Sequence, residues 1–311
     1  MRRGVILLAF ALVLPAISQV PSTHAVTYKG SLVELKVKSP EKDFPIRNVW
    51  VWTPPVPASQ VNTLPVVYML HGWPGSPNGM IAGTVAPLTT AFAKGAQPFI
   101  VVFPDGNALT HADSEWADSY DGAAKIETWL TTNVIATVEA GNIRSRDDRA
   151  LLGFSMGGYG AGIIGLHHPN LFGQVVTLAG YFVVDDLTNA FGGITSHQSK
   201  ESYQTPSNYL KVASQIRWFL GDSPEDYTPL IRGAAEAWAS KLKTVKAKYT
   251  LHPAAGGHSY VFVGSEVTAV AGWLKWGVVT PPTPTTAPNP SPSAPLPAPS
   301  SPITPSATSQ P

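Results

Sequence analysis

The chain of 311 residues contains no cysteine. Disulfides, thiol nucleophiles, iron–sulfur clusters and cysteine zinc sites are therefore excluded. A domain of this size can do without cross-links because its core suffices. An excess of either charge is also missing: 21 basic residues stand against 20 acidic ones, so nothing points to a nucleic-acid or anionic-membrane partner. No Gly-rich phosphate loop with Lys-Ser or Lys-Thr occurs. The dinucleotide fingerprint is broken as well, because Ser155 stands where its second glycine belongs in Gly153-x-Ser155-x-x-Gly158.

Proline is unevenly spread. Residues 280–311 carry it every few positions among Ser, Thr and Ala, with no charged or aromatic residue. A segment of that composition cannot bury a core and is expected to be an extended, solvated tail, fit for glycosylation or for threading a cell wall. At the other end, Met1, Arg2 and Arg3 precede a short apolar run, and Thr23-His24-Ala25 supplies small residues where a leader would be cut. This is the pattern of an export signal over 1–25, too short to span a membrane comfortably. The remainder, 26–279, is expected to be one domain.

Within that domain apolar runs alternate with helical stretches. Strands are expected at 49–53, 64–70, 99–103, 149–152, 174–178, 215–220 and 248–251, and helices at 126–138, 158–166 and 234–242. Continuous apolar strands separated by helices imply an α/β fold with a mostly parallel central sheet covered by helices on both faces. Such sheets bind ligands beyond the carboxyl ends of their strands. Nine tryptophans hint at an apolar or carbohydrate-facing cleft, though most should be core.

Gly153-Phe154-Ser155-Met156-Gly157 fits G-x-S-x-G, with an apolar strand before it and a glycine-rich helix after it. That context turns the pattern into a nucleophile elbow, a sharp turn that lifts a serine hydroxyl off the sheet. A serine hydroxyl needs a general base, and the base needs an orienting acid. His258 follows the last expected strand on a Gly-Gly loop and is the candidate base. His111, His167, His168, His197 and His252 fit worse by position, and His167 and His168 read as cations at the end of a helix. The acid should follow the strand ending at Gly221, where Asp222, Glu225 and Asp226 compete; Asp226 ranks first, Glu225 second and Asp222 third. The backbone N–H groups of Trp73 and Met156 are the candidate oxyanion donors.

Leu70-His71-Gly72, Pro104-Asp105-Gly106, the Ser155 motif, His168-Pro169 with Phe172, and Gly257-His258-Ser259-Tyr260 occur in a familiar order. The chain resembles the esterase branch of the α/β-hydrolases, which includes esterase D-type enzymes, feruloyl esterases and the secreted mycolyltransferases of actinobacteria. The resemblance implies the α/β-hydrolase fold, Ser155 as nucleophile, His258 as base and Trp73 and Met156 as oxyanion donors. Ser114-Glu115-Trp116-Ala117-Asp118 and Glu127-Thr128-Trp129-Leu130 also look like the mycolyltransferase stretch. By that comparison the acid would be Glu236, although Glu236 falls within an Ala-rich helical segment. His71-Gly72 and Trp73-Pro74 depart from the mycolyltransferases, whose residues there hold a sugar. The expected function is therefore a secreted serine ester hydrolase needing no metal or organic cofactor and acting on a small-molecule, lipid or carbohydrate ester. An acyltransferase and a non-catalytic cell-wall binding protein on the same fold are the alternatives.

Overall fold

One eight-stranded sheet gathers the apolar runs. In chain order its strands are β1 (Ser31–Lys38), β2 (Ile46–Thr53), β3 (Val66–Leu70), β4 (Ile100–Pro104), β5 (Arg149–Phe154), β6 (Gln174–Leu178), β7 (Arg217–Asp222) and β8 (Lys248–Pro253). They lie side by side as β1-β2-β4-β3-β5-β6-β7-β8. A computed structural model of the chain describes residues 30–193 and 199–277; the expected leader, the proline-rich tail and His197 lie outside the described residues. The pairs from β4 to β8 are parallel, and β1 and β2 join antiparallel at one edge. Helices surround the sheet. β3, β4, β5 and β6 are buried at every position, which is why their sequences run apolar without alternation.

Seven of these strands follow the apolar runs; β1 is an addition. Glu34, Lys36 and Lys38 break its apolar pattern, and it is mostly exposed. As the edge strand it has only β2 beside it, and lysines at an edge discourage pairing with other chains. Two long helices are also additions, Pro77–Ala93 and Tyr260–Trp273, which pack on each other. Gly79, Gly83 and Pro87 dilute the helical signal of the first. The second is apolar on both faces, so it shows little period. The expected helix at 126–138 forms as Ile126–Thr128, a π-helical stretch Trp129–Val134 and Ile135–Val138.

Two buried carboxylates fasten this helix to the sheet layer. Beyond its end, Glu139 takes a bidentate pair of hydrogen bonds from Arg149 at 2.7 and 2.9 Å and another from the Tyr68 hydroxyl at 2.8 Å. At its start, Glu127 Oε1 accepts from His167 Nδ1 at 2.8 Å and His168 Nε2 at 2.9 Å. The two histidines are thus not merely cations at a helix end, as their sequence position suggested. They dock the end of the helix Met156–His167 on Glu127, and His167 also stacks on Tyr203 with ring centroids 4.0 Å apart.

Burial pushes the Glu127 pKa up, but the His167 and His168 hydrogen bonds and charges outweigh it and bring the carboxyl down to about 2. A carboxyl whose folded pKa is depressed stabilises the fold above its ordinary value of 4.5. That contribution disappears as pH falls through the folded value. Glu127→Gln is expected to cost about 3 kcal/mol near neutral pH and to lower Tm by several degrees. The gap between wild type and variant should close on acidification, as read by thermal denaturation across a pH series.

Candidate active site

The path of the chain through Ser155 sets up the site. β5 ends at Phe154, and the helix Met156–His167 starts at the next residue but one. Ser155 itself adopts φ 58° and ψ −122°, a positive-φ conformation that a side-chain-bearing residue holds only when its surroundings enforce it. Its N–H donates to Leu178 O at 3.0 Å, and its carbonyl accepts from Gly158 at 2.8 Å and Tyr159 at 3.1 Å. The turn is tight enough that a Cβ on Gly157 would stand 2.1 Å from Leu70 O. Only glycine fits there.

His258 Nε2 lies 3.0 Å from Ser155 Oγ, and His258 Nδ1 lies 2.7 Å from Asp226 Oδ2. An ionised carboxylate can only accept, so Nδ1–H donates to Asp226 and Nε2 is left to accept the serine hydroxyl. Asp226 is 2 % exposed and also takes a 3.0 Å hydrogen bond from Thr228 N. Burial raises its pKa, but the bonds from Thr228 and His258 outweigh that and hold it below the ordinary carboxylate value. It stays charged while it orients the ring. The Phe154 ring lies 4.8 Å from the imidazole, centroid to centroid, and supports it from the sheet side.

The other candidate acids have different partners. Glu225 Oε2 accepts from Gly256 N at 2.9 Å. Ser223 Oγ accepts from Gly257 N at 2.9 Å, and Asp222 O from Ala254 N at 2.9 Å. The segment after β7 therefore grips the histidine loop at several points while Asp226 grips the ring. Asp222 carries a carboxyl raised to about 6 by burial and by the neighbouring Glu236 and Asp226 charges. Glu236 is exposed on the helix Ala234–Thr244 and makes no bond to His258. On the far side of the imidazole, Ser259 caps the Tyr260–Trp273 helix, accepting from Val261 N at 3.2 Å and Phe262 N at 3.3 Å.

The loop after β3 presses against Ser155: a Cβ on Gly72 would stand 2.9 Å from Ser155 Cβ. Among the described residues neither the Trp73 N–H nor the Met156 N–H has a hydrogen-bond acceptor. Met156 opens its helix, where unpaired N–H groups and the helix dipole favour negative charge. Trp73 is 37 % exposed, in contrast to the fully buried Trp116, Trp129, Trp218 and Trp238. His71, fully buried, holds the loop in place. Its Nδ1–H donates to Gly72 O at 2.9 Å and its Nε2 accepts from Gly106 N at 3.0 Å, while His71 O takes the Trp116 indole N–H at 3.0 Å.

Sequence reasoning gave no role to the neighbouring acids Asp113 and Glu115. Both are buried, and the Tyr181 hydroxyl sits 2.6 Å from each oxygen of Glu115. Burial and then the Asp113 charge push the Glu115 carboxyl well above its ordinary range. Tyr181 lies 66 residues from Glu115, so their contact leaves no local signal in the sequence. Among the described residues no group of three or more His, Asp or Glu could hold a metal ion.

The raised Asp222 carboxyl has a measurable consequence. Its folded value of about 6 lies above the ordinary 3.8, so the fold holds the proton and loses stability as rising pH removes it. Asp222→Asn is expected to leave Tm almost unchanged near about pH 4 and to raise it by about 2–6 °C near about pH 8, as read by calorimetry.

The fold recurs among proteins of known structure. A ferulic acid esterase structure superposes with a TM-score of 0.66 at 19 % identity, covering 80 % of this chain and 98 % of its own. An S-formylglutathione hydrolase of Staphylococcus aureus gives 0.63 at 18 % identity over 79 % and 99 % of the two chains. MPT51 of Mycobacterium tuberculosis gives 0.58 at 20 % identity over 78 % and 97 %. At these identities the likeness shows the fold, that of the α/β-hydrolases. No curated protein matches the chain. The model of the family described as "Putative esterase" matches residues 46–267, from the first residue of β2 into the helix behind His258, and the chain belongs to that esterase family.

Proposed function

We propose that the protein is an exported serine carboxylic-ester hydrolase that works through an acyl-enzyme on Ser155. The observation that carries this reading is the relay from Ser155 Oγ to His258 at 3.0 Å and on to Asp226 at 2.7 Å. Family membership and the shared fold of a ferulic acid esterase and an S-formylglutathione hydrolase support an acyl substrate. The basic start and short apolar run of residues 1–25 support export.

In this mechanism Ser155 Oγ attacks the ester carbonyl while His258 Nε2 takes its proton. The charge that develops on the carbonyl oxygen is met by the N–H groups of Trp73 and Met156, which have no acceptor of their own among the described residues. Collapse of the tetrahedral adduct breaks the bond to the alcohol, which leaves with the proton from His258. Water then gives a proton to His258 and attacks the acyl-serine; collapse breaks the acyl bond to Ser155 Oγ, which takes the proton back from His258 as the acid leaves. Asp226 stays ionised throughout and stabilises the imidazolium in both halves of the cycle. The His258 side chain is 32 % exposed, so water can reach the base, which favours hydrolysis over transfer to another alcohol.

A fluorophosphonate probe is expected to label the wild type and not Ser155→Ala; a folded wild type that stays unlabelled would sink the proposal. Asp226→Asn should lower kcat for p-nitrophenyl acetate by about 10⁴-fold with little change in KM. Glu236→Gln should retain most of the wild-type kcat, and a reversal of these two results would reassign the acid.

A further inference from the structure

The helices Pro77–Ala93 and Tyr260–Trp273 lie beside the catalytic histidine and have an unusual surface. Neither carries an Asp, Glu, Lys or Arg apart from Glu266, which is buried and accepts the His252 ring N–H at 2.9 Å. Every exposed residue on their outer face is therefore uncharged. Between them runs an open groove of about 510 Å³, walled by Ala82, Gly83 and Pro87 on one helix and by Tyr260, Val261 and Gly264 on the other. Val261 is 77 % exposed at its rim.

Tyr260 connects the groove to the chemistry. Its ring lies 5.5 Å from the Phe154 ring, which in turn lies 4.8 Å from His258. Its hydroxyl stands 3.2 Å from the position a Cβ would take on Gly75, in the loop that presents Trp73. Tyr260, which lines the groove, is thus one aromatic ring removed from His258 and stands beside the loop that carries Trp73. Along the first helix, the nine residues from Gly79 to Pro87 span about 12 Å. The lining side chains offer one polar group, the Tyr260 hydroxyl, so nothing along the walls would orient a sugar or a charged acid. Smooth, small, apolar walls suit a flexible hydrocarbon.

We propose that this groove holds the aliphatic acyl chain of the ester, making the enzyme selective for straight-chain acyl groups of medium length over acetyl. The proposal rests on the esterase reading above. With the carbonyl oxygen at Trp73 and Met156, the chain leaves Ser155 past Gly75, crosses Tyr260 and lies between the two helices. The carboxylic acid released therefore carries a hydrocarbon tail, and the alcohol departs on the opposite side of the scissile bond.

The test compares kcat/KM for p-nitrophenyl acetate, butyrate, octanoate and laurate. A groove that covers a chain on one side should give about a twofold gain per methylene, half of the full transfer energy. Ala82→Trp, which fills the groove, and Val261→Asp, which places a charge on its rim, should each lower the octanoate-to-acetate ratio by at least about tenfold, through KM. Thr268→Asp, farther along the same helix and outside the groove, should keep the wild-type ratio. A wild type with no preference for the longer chains would overturn the proposal, as would groove variants that keep the ratio or a control that lowers it equally. If the wild type cleaves none of these esters, the esterase reading fails on its own. Titration of Ser155→Ala with laurate by calorimetry then decides the groove: binding weakened by Val261→Asp supports it, and no binding overturns it.

Discussion

Ser155 can stand clear of the sheet only because its backbone is bent into a positive-φ turn, and the rest of the site follows from holding that turn. A residue in such a conformation costs about 1–3 kcal/mol unless its neighbours over-determine it. Here β5 and β6 are buried throughout on either side of the turn, and Leu178 accepts the serine N–H. The same closeness brings the loop after β3 against the serine at Gly72. It also starts the next helix at Met156, so that the Ser155 side chain is followed directly by an N–H with no acceptor among the described residues. Neither arrangement would survive if the turn relaxed.

His258 is held by a second set of constraints. β7 and β8 are parallel neighbours, so the segments that follow them emerge together at the same end of the sheet. One carries Asp226 and the other His258. Ser223 and Glu225 accept backbone N–H groups from the histidine loop, which fixes where the ring starts; Asp226 fixes how it turns. Three carboxylates within five residues thus divide into one that orients, one that anchors and one that burial and repulsion keep raised to about 6. Like charges crowded near a site need such a division, because they cannot all ionise cheaply.

The two ends of the helix that begins at Met156 differ in chemistry. Its N-terminus opens directly after Ser155, where the Met156 N–H has no acceptor among the described residues. Its C-terminus, about 18 Å away, docks on Glu127 through His167 and His168. The hollow beside that docking point, of about 320 Å³, is lined by Asp118, Lys200 and Tyr203 among others, and it is polar where the groove is not. The helix is held by hydrogen bonds to Glu127 at its C-terminal end and begins beside Ser155 at the other.

The sequence by itself determined whatever depends on neighbours along the chain. The apolar runs of β3 to β6, the glycines that permit the elbow and the order of serine, acid and histidine are all local or ordinal properties, and they were legible. β1 was not, because an edge strand needs only half its face buried and keeps its charges. The helices Pro77–Ala93 and Tyr260–Trp273 were not, because each is uniformly small or apolar and their partner is the other helix. Tertiary structure alone decided which carboxylate meets His258, since Asp222, Glu225, Asp226 and Glu236 are chemically alike and differ in where the chain leads them. It also decided that Glu127, some 40 residues from His167, would be the counterpart of both helix-end histidines. Contacts of that range depend on how strands are ordered in a sheet, and no spacing within a segment encodes that order.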